Sequence, residues 1–145
     1  MLLYHVSADT DVLERKFVPK IPELSSKASE IEDTQTPRIC FAETVSGCFS
    51  ALPKYSRLKL AVKGARFVLY TLDTDDFSPE DLVSNEELVR NKAVYDANIT
   101  KEWWLLKPVT LKGTLCEVLS AVQQELPEPP LLPDTPAWNY QISYK

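Results

Sequence analysis

Three positions in this 145-residue chain place a reactive side chain beside a run of apolar residues. His5 lies in LLYHVS, which predicts a short buried strand over 2–7. The passage ICFAETVSGCFSAL, at 39–52, predicts a strand that enters a helix, and Glu102 stands in ITKEWW. An imidazole forms hydrogen bonds in its neutral state, and a carboxylate stabilises a developing positive charge. These positions are the candidates for a functional site, beside the alternative that His5 and Glu102 are ordinary strand residues.

Cys48 offers a second chemistry, that of a Cys/His hydrolase. It lies in an SGC turn near a predicted helix start, where a thiol pKa can be lowered, and His5 could serve as its base. No Asn or Asp is marked as the residue that would orient the histidine. Cys48 also fits a buried helical stripe that follows a cap at Thr44, with Val45, Phe49 and Leu52. Both interpretations stay open at this level.

The three cysteines, at positions 40, 48 and 116, form no CxxC pair and leave an odd thiol in any pairing scheme. This usage is typical of a reducing cytoplasm, which is the compartment we expect. With a single histidine, the spacing predicts no metal site.

The order of His5, the 39–52 passage and Glu102 resembles the His/Tyr/Glu arrangement of the ADP-ribosyltransferase family, over roughly residues 2–52 and 98–112. The resemblance implies a split β sandwich with NAD in a cleft between two small sheets. It implies that His5, with Val6 and Ser7 beside it, binds the adenosine ribose. It also implies that Phe41 and Ser46 flank the nicotinamide and that Glu102 is the catalytic carboxylate. Such a carboxylate would hold the nicotinamide ribose and stabilise an oxocarbenium-like centre.

This chain departs from the family pattern at two places. The second-motif tyrosine is missing, and Phe41 could stack on a ring but has no hydroxyl to donate. Thr100 stands two residues before Glu102, where arginine-modifying members carry an additional Glu or Gln. The acceptor of any transferred ADP-ribose is therefore left open.

The elements that would position these residues predict one α+β domain over 1–145, dominated by strands, with a few short helices and long loops. After the first strand, 13–38 is polar and contains Pro residues, which predicts a long irregular loop. RLKLAV and ARFVLYTLDTD predict two strands joined at Lys63 and Gly64.

The second half of the chain predicts helical turns and further strands. A short helix is expected near 79–83, and a further turn at 85–90. Further strands are expected around Glu102, with Trp103 and Trp104 on opposite faces. The proline-rich stretch 125–137 predicts an extended connection to a final strand, WNYQISYK.

Charge limits the classes of partner. The formal net charge is −5 and the pI about 4.9, which makes nucleic acid an unfavourable ligand, and no run of apolar residues is long enough to span a membrane. The residues 54–66 form the one basic stretch, interpreted as a solvated strand face.

Two functions are compatible with these limits. One is an ADP-ribosyltransferase-like protein that uses NAD. The other is a non-enzymatic acidic binding or inhibitor protein of bacterial or phage origin that acts through protein–protein contacts.

Overall fold

The computed structural model describes residues 1–22, 32–94, 97–125 and 138–145. Within them, strands form a seven-stranded sheet of order β5-β6-β3-β1-β4-β8-β9 and a two-stranded sheet, β2-β7, with antiparallel pairing throughout. The strands are β1 Leu2–Ser7, β2 Glu14–Phe17, β3 Ile39–Ala42, β4 Arg66–Asp73, β5 Leu82–Val83, β6 Glu102–Leu105, β7 Val109–Lys112, β8 Thr114–Glu125 and β9 Trp138–Tyr144. The helices are α1 Val45–Ala51, α2 Lys54–Leu60, α3 Asn85–Arg90 and α4 Ala97–Thr100, with 3₁₀ turns at Thr74–Asp76 and Pro79–Asp81. A strand-dominated α+β architecture is thus confirmed.

The large sheet has two covered faces. On one, which we call the β2–β7 face, Phe17, Val109 and Leu111 of the small sheet pack against a core that includes Leu3 and Tyr70. On the other, the helix face, residues of α1 and α2 pack against β1, β4 and β8. A further cluster joins α3 and α4 to Trp104 on β6. A strand that is covered on both sides alternates its side chains between two cores.

Helix α1 begins as its sequence predicts. The Thr44 hydroxyl accepts a hydrogen bond from the Gly47 backbone N–H at 2.9 Å, which satisfies a free donor of the first turn. Val45 and Phe49 are buried, and Cys48 and Leu52 pack against the same cluster. The predicted helical stripe is therefore confirmed.

The ladder between β1 and β3 consists of a single residue pair, Tyr4 with Ala42. By contrast, β1 pairs with β4 along its whole length, from Leu2 to Ser7. The two halves of the large sheet, β5-β6-β3 and β1-β4-β8-β9, are thus joined by very little backbone pairing. Beyond Tyr4, towards Ser7, β1 forms no residue pair with β3, and we call this unpaired stretch the β1/β3 opening.

The structure corrects two predictions. Residues 13–38 are not an irregular loop throughout, because 14–17 form β2, paired with β7, and Lys20 bridges to Arg38. The segment RLKLAV is not a strand: its first four residues, 57–60, end helix α2, which follows Pro53 and buries Leu60. Its alternation of Leu and charged residues resembles a strand, yet Pro53 starts a helical turn closed by the bond from the Arg57 N–H to the Pro53 carbonyl.

The remaining elements follow the prediction in part. The chain ends in a strand at the edge of the large sheet, as expected. The helix predicted near 79–83 is a 3₁₀ turn followed by β5, and the turn at 85–90 is helix α3, capped by Ser84. Of the proline-rich stretch 125–137, residues 126–137 lie outside the described residues. Among the described helices, none combines the length and apolar character needed to cross a bilayer.

Gly47 lies where α1 packs against Thr100, the last residue of α4, just before β6. A Cβ at this position would collide with the backbone carbonyl oxygen of Thr100. We expect Gly47→Ala to lower the free energy of unfolding by about 2 kcal/mol, measured by urea denaturation, because a backbone atom cannot move aside as a side chain can. Gly64→Asn is the comparison: the space around Gly64 is open, so its loss comes only from the φ of +88°, which Asn tolerates better than most residues, and it should be smaller. Equal stability of Gly47→Ala and the wild type would contradict this packing.

Candidate functional site

His5 occupies an aromatic cluster on the β2–β7 face. Its ring lies 4.9 Å from Phe17, 5.8 Å from Phe41 and 6.2 Å from Tyr70, centroid to centroid. Nδ1 is 2.9 Å from the carbonyl oxygen of Cys40, across the β1/β3 opening. A carbonyl oxygen only accepts, so Nδ1 carries the proton and donates this bond. In the neutral ring, Nε2 is then an acceptor, and no hydrogen bond from another described residue reaches it.

Burial lowers the pKa of His5 below its ordinary value of 6.5, because the charged ring loses solvation. The positive charges of Arg15 and Lys20 lower the pKa further, while the bond to the Cys40 carbonyl opposes both effects. His5 is therefore a neutral hydrogen-bonding group at neutral pH. The effect of Arg15 and Lys20 also means that their positive potential extends to this ring.

Ser7 and Arg15 extend the cluster. An Arg15 guanidinium nitrogen donates to the Ser7 hydroxyl oxygen at 3.1 Å, and the same hydroxyl accepts from the Asp9 backbone N–H at 3.2 Å. The Arg15 guanidinium also lies 5.4 Å from the centre of the Phe17 ring. A hydroxyl, a guanidinium and a neutral imidazole thus stand together at the β1/β3 opening.

Two carboxylates lie at the end of β3 and the start of β6, each held by an indole. Glu102 accepts a hydrogen bond from Trp104 Nε1 at 2.9 Å. Glu43 accepts from Trp103 Nε1 at 2.9 Å and from the Asn85 amide at 2.7 Å. As predicted, the two tryptophans point to opposite faces of the sheet. Each donates a hydrogen bond to a carboxylate on its own face.

The register separates His5 from Glu102. Tyr4 pairs with Ala42, and Ala42 pairs with Glu102, so these three side chains share the helix face. His5 follows Tyr4 and therefore emerges on the β2–β7 face, where it contacts Phe17. The structure does not bring His5 and Glu102 into one pocket. The carboxylate on the face of His5 is Glu43, because its partner Trp103 packs against the β2–β7 core.

The other predicted site residues divide in the same way. Ser7 and Phe41 lie with His5, but Phe41 is 3% exposed and supports the His5 ring from within the core. Val6 packs on the helix face with α1. The Ser46 hydroxyl accepts from the Ile142 backbone N–H at 3.0 Å, and thereby satisfies a donor of the edge strand β9. Ser46 therefore performs a structural task on the opposite face of the sheet from His5.

Cys48 lacks the environment of a nucleophile. Its Sγ donates to the Tyr4 carbonyl oxygen at 3.2 Å, and burial raises the pKa of its thiol to about 12. His5 points to the opposite face, so it cannot act as the base. The geometry gives no support to the hydrolase interpretation.

Sequence reasoning missed Arg15 and Glu43. The sequence predicts an irregular loop at Arg15, although the alternation of Arg15 and Phe17 on one side of a short strand is a usable signal. Glu43 stands within the 39–52 passage, but its orientation depends on Trp103, which is distant in the sequence. The structure also contains an unpredicted cavity of about 530 Å³ whose walls include Asp33, Leu88 and Trp104, and none of the predicted site residues lines it.

No protein-family model, curated protein or solved structure matches the chain. In the described parts of the chain, no group of three or more His, Cys, Asp or Glu side chains is arranged to hold a metal ion.

The lowered pKa of His5 predicts a specific dependence of stability on pH. An unfolded imidazole titrates near 6.5 and the folded one lower, so between these values the unfolded chain binds more protons and acid favours unfolding. Above both values the ring is neutral in either state and the effect vanishes. We expect the free energy of unfolding to fall more steeply in the wild type than in His5→Gln between about pH 7 and 5. Urea denaturation across this range measures the difference. Parallel pH profiles would contradict the burial of a neutral His5.

Proposed function

We propose that this chain is an ADP-ribosyltransferase-like protein that binds NAD, or another nucleotide containing ADP-ribose, beside His5 at the β1/β3 opening. The observation that carries the proposal is the single residue pair between β1 and β3, with the His5 side chain held across the gap by the Cys40 carbonyl. Backbone pairing therefore does not close the sheet between His5 and Ser7, and this is where we place the nucleotide. The resemblance to the family adds support through His5 on the first strand and Phe41 on the second, which lie on the same face of the sheet.

The chemistry around His5 suits a ribose and a diphosphate. Nε2 of the neutral ring is an acceptor, so it takes a hydrogen bond from a ribose hydroxyl without ionising. Arg15 and Lys20 supply the positive charge that a diphosphate requires, and Arg15 lies over the Phe17 ring that contacts His5. Ser7 holds the Arg15 guanidinium beside β1.

The geometry supports nucleotide binding more strongly than it supports transfer by Glu102. A carboxylate stabilises an oxocarbenium-like centre only when it lies against that centre. Glu102 projects to the helix face, whereas Glu43 projects to the face of His5. For a nucleotide held by His5, the carboxylate available for the nicotinamide ribose is Glu43.

Titration calorimetry with NAD tests the proposal. We expect the wild type to bind NAD in a saturable manner and His5→Gln to bind about tenfold more weakly, the loss expected for one hydrogen bond to the ligand. Tyr70→Phe is the matched control, because it alters the same aromatic cluster and removes only the hydroxyl that bonds to the Val12 carbonyl. This control should retain the wild-type affinity.

Nicotinamide release then distinguishes binding from transfer. We expect Glu102→Gln to leave NAD affinity and any nicotinamide release at wild-type values. Release that survives in Glu43→Gln and disappears in Glu102→Gln would contradict the assignment of faces. Absence of NAD binding, with ADP-ribose also failing to bind the folded wild type, would refute the proposed function.

A further inference from the structure

An exposed apolar and basic surface covers the outer side of α2. Tyr55 is 70% exposed, Leu58 65% and Val62 46%, and their spacing places them along one side of the helix and its continuation. Lys59 Nζ lies 4.3 Å from the centre of the Tyr55 ring, and Lys63 is exposed beside Val62. We call these five residues the α2 surface.

The fold does not require these side chains for its core. Helix α2 is anchored by Leu60, which is 7% exposed and packs with Phe49 and Phe67. Tyr55 and Leu58 point away from this cluster. Large apolar side chains that are adjacent, exposed and unnecessary for packing mark an interaction site more often than isolated ones do.

The segment that contains α2 is basic, whereas the remainder of the chain is acidic. Residues 44–72 contain five Lys and Arg and no Asp or Glu. Because the whole chain has 16 cations and 21 acids, the other residues contain 11 cations and 21 acids and carry a net charge of −10. No ion pair between described residues involves Lys59 or Lys63. Their charges are thus available to a partner.

We propose that the α2 surface docks an acidic segment of another protein that carries apolar side chains among its Asp and Glu residues. An exposed tyrosine and leucine bordered by lysines have the composition of a protein interface, with an aromatic anchor and a charged rim. A nucleic acid or an anionic membrane would present negative charge over a wide area and meet repulsion from the acidic remainder of the chain. A short acidic segment meets mainly the local positive charge. This proposal is independent of nucleotide binding, because the α2 surface shares no residue with the cluster at His5.

Fluorescence anisotropy with three labelled probe peptides tests the proposal on the full chain. The first probe is built from Glu, Leu and Phe, the second from Glu and Ser, and the third from Lys, Leu and Phe. We expect the first probe to bind in a saturable, salt-sensitive manner and the other two at least about tenfold more weakly, because both charge and apolar contact are required.

Two double variants with the same change in charge locate the binding. Leu58→Ser with Lys59→Glu alters the α2 surface, and Val89→Ser with Arg90→Glu makes the equivalent change on the exposed side of α3. We expect the first double variant to lose at least about tenfold in affinity and the second to match the wild type. All of these positions are exposed, and circular dichroism verifies that both variants fold.

Several results would overturn the proposal. These are failure of the first probe to bind the folded wild type, equal binding of all three probes, and equal losses in the two double variants. Tighter binding to phosphatidylserine vesicles or to an oligonucleotide, lost in the α2 variant, would assign the surface to a membrane or a nucleic acid. Self-association of the wild type that the α2 variant abolishes would assign it to a second copy of the chain.

Discussion

The hydrogen bond from His5 Nδ1 to the Cys40 carbonyl oxygen joins the two halves of the large sheet where the backbone ladder stops. A buried carbonyl without a partner is unfavourable, and at this point the neighbouring strand offers a side chain in place of a backbone N–H. The bond fixes the tautomer of the ring. It also fixes the position of the ring among Phe17, Phe41 and Tyr70, through which the small sheet packs on the large one.

The alternation of side chains along the strands determines which groups can act together. His5 and Glu102 are separated by one step of this alternation, and so are Trp103 and Trp104. Each indole donates to the carboxylate on its own face. Glu43 and Glu102, at the ends of the neighbouring strands β3 and β6, therefore lie in different environments. Ser7, Arg15 and Glu43 therefore lie on the face of His5, while Glu102 belongs to the helix face.

The sequence predicts the elements whose signals are local. Strand β1, strand β3, the capped helix α1 and the final strand follow from runs of apolar residues and from Thr44. Strand β2 was missed because it is short and depends on β7, which lies far along the chain. The segment at α2 resembles a strand because Leu58 and Leu60 alternate with charged residues, although in the helix Leu58 is exposed and Leu60 is buried.

The sequence predicts some residues of the candidate site, but it does not predict which of them lie on the same face of the sheet. The grouping of His5 with Ser7 follows from the period of two along a strand. The relation of His5 to Glu102 depends on the register of two strand pairs, and a shift by one residue would reverse it. Nothing local in the sequence encodes that register.

The state of the single histidine tests the central claim most directly. Nitrogen-15 NMR of His5, unambiguous because the chain has no second histidine, distinguishes the protonated ring nitrogen from the unprotonated one. The account predicts a neutral ring with the proton on Nδ1, and a shift at Nε2 on addition of NAD while Nδ1 remains protonated. A ring protonated at Nε2, or an Nε2 signal unchanged at saturating NAD, would contradict it.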